Sequence, residues 1–212
     1  MSQPNVTTIT PANANLTGFA TNVTGATWTI TTTNSGDSLA HQVSIRNDTA
    51  TSHSGKTALL TGTDPDGVVQ TESMALPGAS ATVESTKYFK TLTSVVPSST
   101  IGADTMDIGW VDEFSTYTMV LNWRNSHAAH IHVDVTGTIN YTVQQASGNP
   151  ASYTAPSQSM NWQAITAFDA KSAGVLGAAA VGVTAIRFIA NSYSNGATAT
   201  MYVNQPWDVV RA

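Results

Sequence analysis

HAAHIHVDV, residues 127–135, holds three of the chain's five histidines and an aspartate, and its alternation sets the period in which the rest of the chain is read. Successive side chains of a β-strand point to opposite faces, so His130, His132 and Asp134 share one face and Ile131, Val133 and Val135 the other. That is the pattern of a half-buried antiparallel strand, apolar inward and polar outward. The same residues raise the question of a metal centre, since zinc takes imidazole and carboxylate ligands. Neighbours at i and i+2 on a flat strand stand roughly 6.5–7 Å apart, so two can chelate but three converge poorly. His127 precedes the strand, while His41 and His53 are remote in sequence and nothing in the spacing pairs them with it. The expectation is a strand with structural or solvated histidines, with no metal or cofactor assigned to His127, His130 or His132.

The period of two recurs along the chain. Trp28 and Ile30 alternate with threonines, Val43 and Ile45 with Ser44 and Arg46, and Met106, Ile108 and Trp110 with smaller or polar residues. YTMVLNW, TINYTVQQ, VTAIRFIA and ATATMYVNQ continue it, punctuated by NSH, TG, SGNP and SNG. Nowhere do apolar residues recur at helical spacing for three turns behind a cap. These signals predict an all-β protein of two antiparallel β-sandwich domains, residues 26–114 and 115–212, the second ending in a short tail. The boundary is placed near VDEFST, residues 111–116, where acids and hydroxyls separate two strand-like runs. Residues 1–25 are rich in Thr, Asn and Ala with sparse apolar positions, and read as an extended N-terminal arm that would bind a neighbour. AGVLGAAAVGV, residues 173–183, reads as a loop and an entering strand whose small residues permit close backbone approach, to its own core or to a neighbouring subunit.

Composition narrows the function classes. The 212 residues are 41% hydrophobic, enough for a real core, but only 10% charged, against roughly 25% in ordinary globular chains. A neutral, hydroxyl-rich surface is more compatible with contact to other protein. A formal net charge of −5 with eight scattered Lys and Arg lacks the basic surface that grips nucleic acid. The absence of cysteine excludes disulfides and thiolate chemistry. No secretory signal or apolar run of membrane-helix length is present, so the expectation is a soluble chain made in the cytoplasm, with no membrane partner.

Motifs for chemistry are weak. TGTDPDGVVQTE, residues 61–72, places Asp64 and Asp66 before a glycine, as a calcium loop begins, but the twelfth position, where an EF-hand needs Glu, is Ala75. Pro65, Asp66 and Gly67 between two strand-like runs instead predict a hairpin turn. No nucleophile elbow, P-loop or dinucleotide fingerprint occurs. Asp112 and Glu113 are adjacent and fall on opposite strand faces, as solvated charges at a strand end. No catalytic residue is assigned, and the chain reads as a non-enzyme.

Two segments resemble modules of tailed-bacteriophage virion proteins. GDSLAHQVSI, followed by the run from TGTDPDGVVQTE through STKYFKTLTSV to MDIGW, is similar to a module with a G-T-D-x-D-G hairpin, an acid shortly after it, a KyF strand and a closing strand ending in glycine. Asp64, Asp66, Gly67, Glu72, Tyr88, Phe89, Ser94 and Gly109 fit that pattern. VLNW, VDVTGTINYTVQQ, NWQAI and the run from Val183 to Pro206 resemble a β-rich module that often follows it. In that module the strand before the sGTvnYTV motif is apolar or neutral, so the histidines here look like a local variation. The resemblance implies a non-enzymatic virion protein, foremost a capsid decoration or cement subunit that stabilises the head. Its implied partners are the phage major capsid protein or other virion proteins and further copies of itself, a trimer suiting three-fold capsid positions. A tail, collar or head–tail connector subunit is the nearest alternative. A carbohydrate-binding or host-adhesion module would instead need exposed members among Trp28, Trp110, Trp123, Trp162 and Trp207 to stack on sugars.

Overall fold

The computed structural model of the chain describes residues 5–121, 128–148 and 156–205. The fold is almost entirely β. The strands of the first half are β1 (Asn5–Ile9), β2 (Asn15–Val23), β3 (Ala40–Asn47), β4 (Thr57–Thr63), β5 (Val69–Ala75), β6 (Thr82–Phe89), β7 (Thr91–Pro97) and β8 (Met106–Ser115). Those of the second half are β9 (Met119–Val120), β10 (His130–Thr136), β11 (Ile139–Ala146), β12 (Gln163–Ala164), β13 (Val175–Ala178), β14 (Ala185–Tyr193) and β15 (Thr198–Asn204). Among the described residues the helical pieces are the one-turn helix Pro156–Ser159 and the 3-10 turn Thr166–Phe168. The chain divides into two compact units, residues 12–114 and residues 1–11 with 115–212.

In the unit of residues 12–114, β2 pairs with β8, β8 lies beside β3 and β3 beside β6, while β5, β4 and β7 form a second, antiparallel sheet. Val43, Ile45, Phe19, Met106 and Ile108 of the first sheet share one buried cluster with Ala58, Leu60, Met74, Leu92 and Val95 of the second, which makes this unit a sandwich. Two close approaches shape it. A Cβ on Gly18 would lie 2.0 Å from the Trp110 ring, so the indole lies directly on that backbone, and its Nε1 donates to Asn13 O at 2.9 Å. A Cβ on Gly109 would meet Asn15 O at 1.9 Å, so β2 crosses over β8 where no side chain fits.

In the other unit one sheet runs β1, β15, β10, β13, antiparallel throughout, and β12, β11, β14 and β9 pair in a second antiparallel set. Ile131, Val133, Met201 and Val203 are buried from the first; Tyr141, Val143 and Phe188 from the second, with Tyr141 and Phe188 rings stacked at 5.0 Å. Burial, together with the Asp134 carboxylate, pushes the Tyr141 hydroxyl up to about 12, and that hydroxyl donates to Ala173 O at 3.0 Å.

Three expectations are corrected. Residues 5–23 are not an extended arm: β1 pairs with β15 from Asn5 opposite Val203 to Ile9 opposite Ala199, and β2 pairs with β8. An edge strand buries one face at most, so NVTTI needs only Ile9 inside. Trp28 and Ile30 lie outside any strand, although Trp28 is buried in the cluster. The acids of VDEFS do not separate two strand-like runs but belong to the end of β8, and the division into compact units falls between Phe114 and Ser115.

Candidate functional site

HIHVDVT forms β10 with the alternation read from sequence: Ile131 and Val133 are buried, His130 and Asp134 exposed and His132 half-buried. The register lays Val6, Tyr202, His132 and Leu176 in one row across the outer face of the four-stranded sheet. The His132 ring stacks on Tyr202 with centroids 5.6 Å apart, and its Nε2 lies 3.1 Å from Asp134 Oδ1. His130 stands opposite Asn204 and Ala178, which supply no carboxylate. Among the described residues no group of three His, Cys, Asp or Glu is placed to hold a metal ion. His127 lies outside the described residues.

The D-x-D-G segment joins β4 to β5 as a hairpin in register from Thr57 opposite Ala75 to Thr63 opposite Val69. Asp64 is fully buried, and its Oδ1 accepts the backbone N–H of Asp66 at 3.0 Å and of Val68 at 2.8 Å. Gly67 takes a φ of +83°, which L side chains rarely adopt. The two aspartates therefore divide the work of a turn: Asp64 ties the backbone and Asp66 occupies the bend. Glu72 acts across sheets, accepting the N–H groups of Thr86 (2.8 Å) and Lys87 (2.9 Å) of β6 and so closing one flank of the sandwich.

The outward positions of this β5–β4–β7 sheet carry no charge. One row is Ser73, Leu59 and Val96; the next is Thr71, Thr61 and Ser94; a third is Val69, Thr63 and Thr91, with the Thr63 and Thr91 hydroxyls 2.8 Å apart. Leu59, Val69 and Val96 are exposed by 46–70%. Sheets that face water usually guard themselves with lysines and other charges. This face of mixed methyl and hydroxyl groups has the chemistry of a protein contact.

Sequence reasoning missed the buried polar clusters, because each joins residues from separate elements. Asp37 accepts Ala12 N–H and Ser35 Oγ at 2.6 Å and lies 2.7 Å from His41 Nε2. Burial alone would raise its pKa, but these hydrogen bonds and the facing imidazole hold the carboxyl well below the usual range. His53 lies 3.3 Å from Lys56 Nζ through its Nδ1 and 3.0 Å from an Asp104 carboxylate oxygen through its Nε2. Arg46 bridges Asp48 (3.0 Å) and Asp107 (2.7 Å); against the effect of burial, the Asn22 N–H and the Arg46 guanidinium keep Asp107 below the ordinary carboxylate range. Glu113 shifts upward, through burial and then the like charges of Glu84 and Asp112. Within the 12–114 unit the His41 cluster ties loops to strand β3 and the His53 cluster ties one loop to another, each enclosing its histidine in the protein interior.

No protein-family model matches the chain, and no curated protein or solved structure matches it either. Of the tryptophans, Trp28 and Trp110 are buried, and the half-buried Trp162 is covered by Arg187 at 4.4 Å from the ring centroid. Trp123 and Trp207 lie outside the described residues. Among the described residues the tryptophans form no exposed stacking platform. AGVLGAAAVGV contains β13, and there a Cβ on Gly177 would lie 2.7 Å from Phe168: the close approach at this glycine is to its own core.

Proposed function

We propose that this chain is a non-enzymatic structural component of a tailed-phage virion, a decoration or cement subunit that binds the capsid surface and stabilises the head. The observation that carries the reading is the uncharged outer face of the β5–β4–β7 sheet, whose rows of Leu59, Val96 and neighbouring hydroxyls leave nothing to repel a protein partner. The β4–β5 hairpin, which supplies two of the three strands of that face, belongs to the segment that resembles the phage module, and its turn is held by Asp64. In this role the partner is the major capsid protein or another virion protein, and self-association, foremost as a trimer, runs through the same kind of surface. An arm no longer motivates the assembly, since residues 5–23 are committed to strands. The test is co-sedimentation of the purified chain with heads of a phage that encodes it. Wild type is expected to saturate the particles, and Leu59→Lys to release them while remaining folded.

A further inference from the structure

A cavity of about 270 Å³ opens in the unit that contains β11 and β12, well away in sequence from the uncharged sheet just described. Its floor is Ala146 and Val183, both buried, and its rim is Gln145, Ser147, Asn161 and Gln163. We propose that this cavity binds one ring of a neutral sugar.

Two small aliphatic groups at the floor suit the C–H face of a pyranose, while three carboxamides and a hydroxyl supply donors and acceptors together, which is what a ring of hydroxyls needs. Among the described residues none that lines it is charged, so none of them selects an anion or a cation. The rim is also partly preset. Gln145 and Gln163 are direct cross-strand partners on β11 and β12, and Gln145 Oε1 accepts Ala180 N–H at 2.9 Å, which fixes the amide and leaves its Nε2 as donor. Gln144, one residue earlier and on the opposite strand face, holds Arg187 Nε at 2.8 Å and keeps that charge engaged outside the lining. The volume is below the roughly 300–1,000 Å³ of drug-sized sites, room for one ring. The same chemistry occurs in a free monosaccharide and at the end of a glycan. The site is independent of the virion reading.

The experiment is nitrogen–proton NMR titration of the full chain with methyl glucoside, methyl galactoside and N-acetylglucosamine, and with the trisaccharides maltotriose and chitotriose. The side-chain amide signals of Gln145, Asn161 and Gln163 report directly. The proposal expects saturable shifts with at least one neutral sugar, at a Kd on the order of 1 mM. Asn161→Ala and Gln163→Ala should each weaken it about tenfold, and Tyr117→Ala, which removes an exposed aromatic outside the cavity, should leave it unchanged. Tighter binding of a trisaccharide assigns the site to glycan ends; equal binding assigns it to the free sugar. Shifts that never saturate, binding unaltered in both amide variants, or binding lost only in Tyr117→Ala would overturn it.

Discussion

Removing the Asp64 carboxylate tests whether the D-x-D-G turn is built from hydrogen bonds or around a cation. Both bonds from the turn backbone, at 3.0 and 2.8 Å, end on the same oxygen, Oδ1, of a side chain with no solvent exposure. A hydrogen bond to a charged group contributes about 1.5–3 kcal/mol. The donors belong to half-buried Asp66 and Val68, where water can partly replace the lost acceptor. Asp64→Ala is therefore expected to cost about 3 kcal/mol in all. Asp64→Asn keeps an oxygen where both bonds end, while it removes the charge and turns Oδ2 into an amide donor, so about 1 kcal/mol is expected. In urea, with an m-value of about 2 kcal/mol/M, the unfolding midpoint should fall by roughly 1.5 M for Ala and 0.5 M for Asn. Addition of EDTA should leave the wild-type midpoint where it is. Equal losses from both variants, together with a calcium-dependent wild-type midpoint, would refute the hydrogen-bonded turn and put a cation at Asp64.

Further outcomes follow from single contacts. At Gly67 an added Cβ meets nothing within 4 Å, yet Gly67→Val must hold φ near +83°, so it should destabilise by about 1–3 kcal/mol through backbone strain, read by the same urea titration. Gly18→Ala puts a methyl where the Trp110 ring lies and should cost about 1–3 kcal/mol, with a changed near-ultraviolet dichroism of the tryptophans. Asp37 has a folded pKa below its unfolded value, so its contribution is present above pH about 4 and is lost as pH falls from there through the folded pKa. Thermal melts of wild type should accordingly decline below pH about 4 more steeply than those of Asp37→Asn.

The strands were legible wherever one face is buried and the other wet. HIHVDVT follows a period of two, and the β4–β5 hairpin is announced instead by Asp64, Asp66 and Gly67 at the turn between its strands. The period fails where pairing is irregular. β2 shifts register against β8 between Asn15 and Ala20 and again before Val23, so its buried Phe19, Ala20 and Val23 do not alternate and NLTGFATNV looks like a polar arm. Trp28 misleads in the opposite sense: it enters the core from a loop, and its alternation with threonine imitates a strand. The outer face of β5–β4–β7 was visible only as low charge, because its rows exist once three strands are in register. The cavity needed Asn161 and Gln163 brought beside Gln145, and no spacing in the sequence brings them there.

Docking of the uncharged sheet face on a capsid, as proposed, is read by quantitative co-sedimentation with purified phage heads. Binding should saturate at a fixed number of copies per head and be abolished by Leu59→Lys and by Val96→Lys. Those two exposed positions should change stability by no more than about 1 kcal/mol. A wild-type chain that stays in the supernatant at every concentration, or lysine variants that bind heads as tightly as wild type, would contradict it.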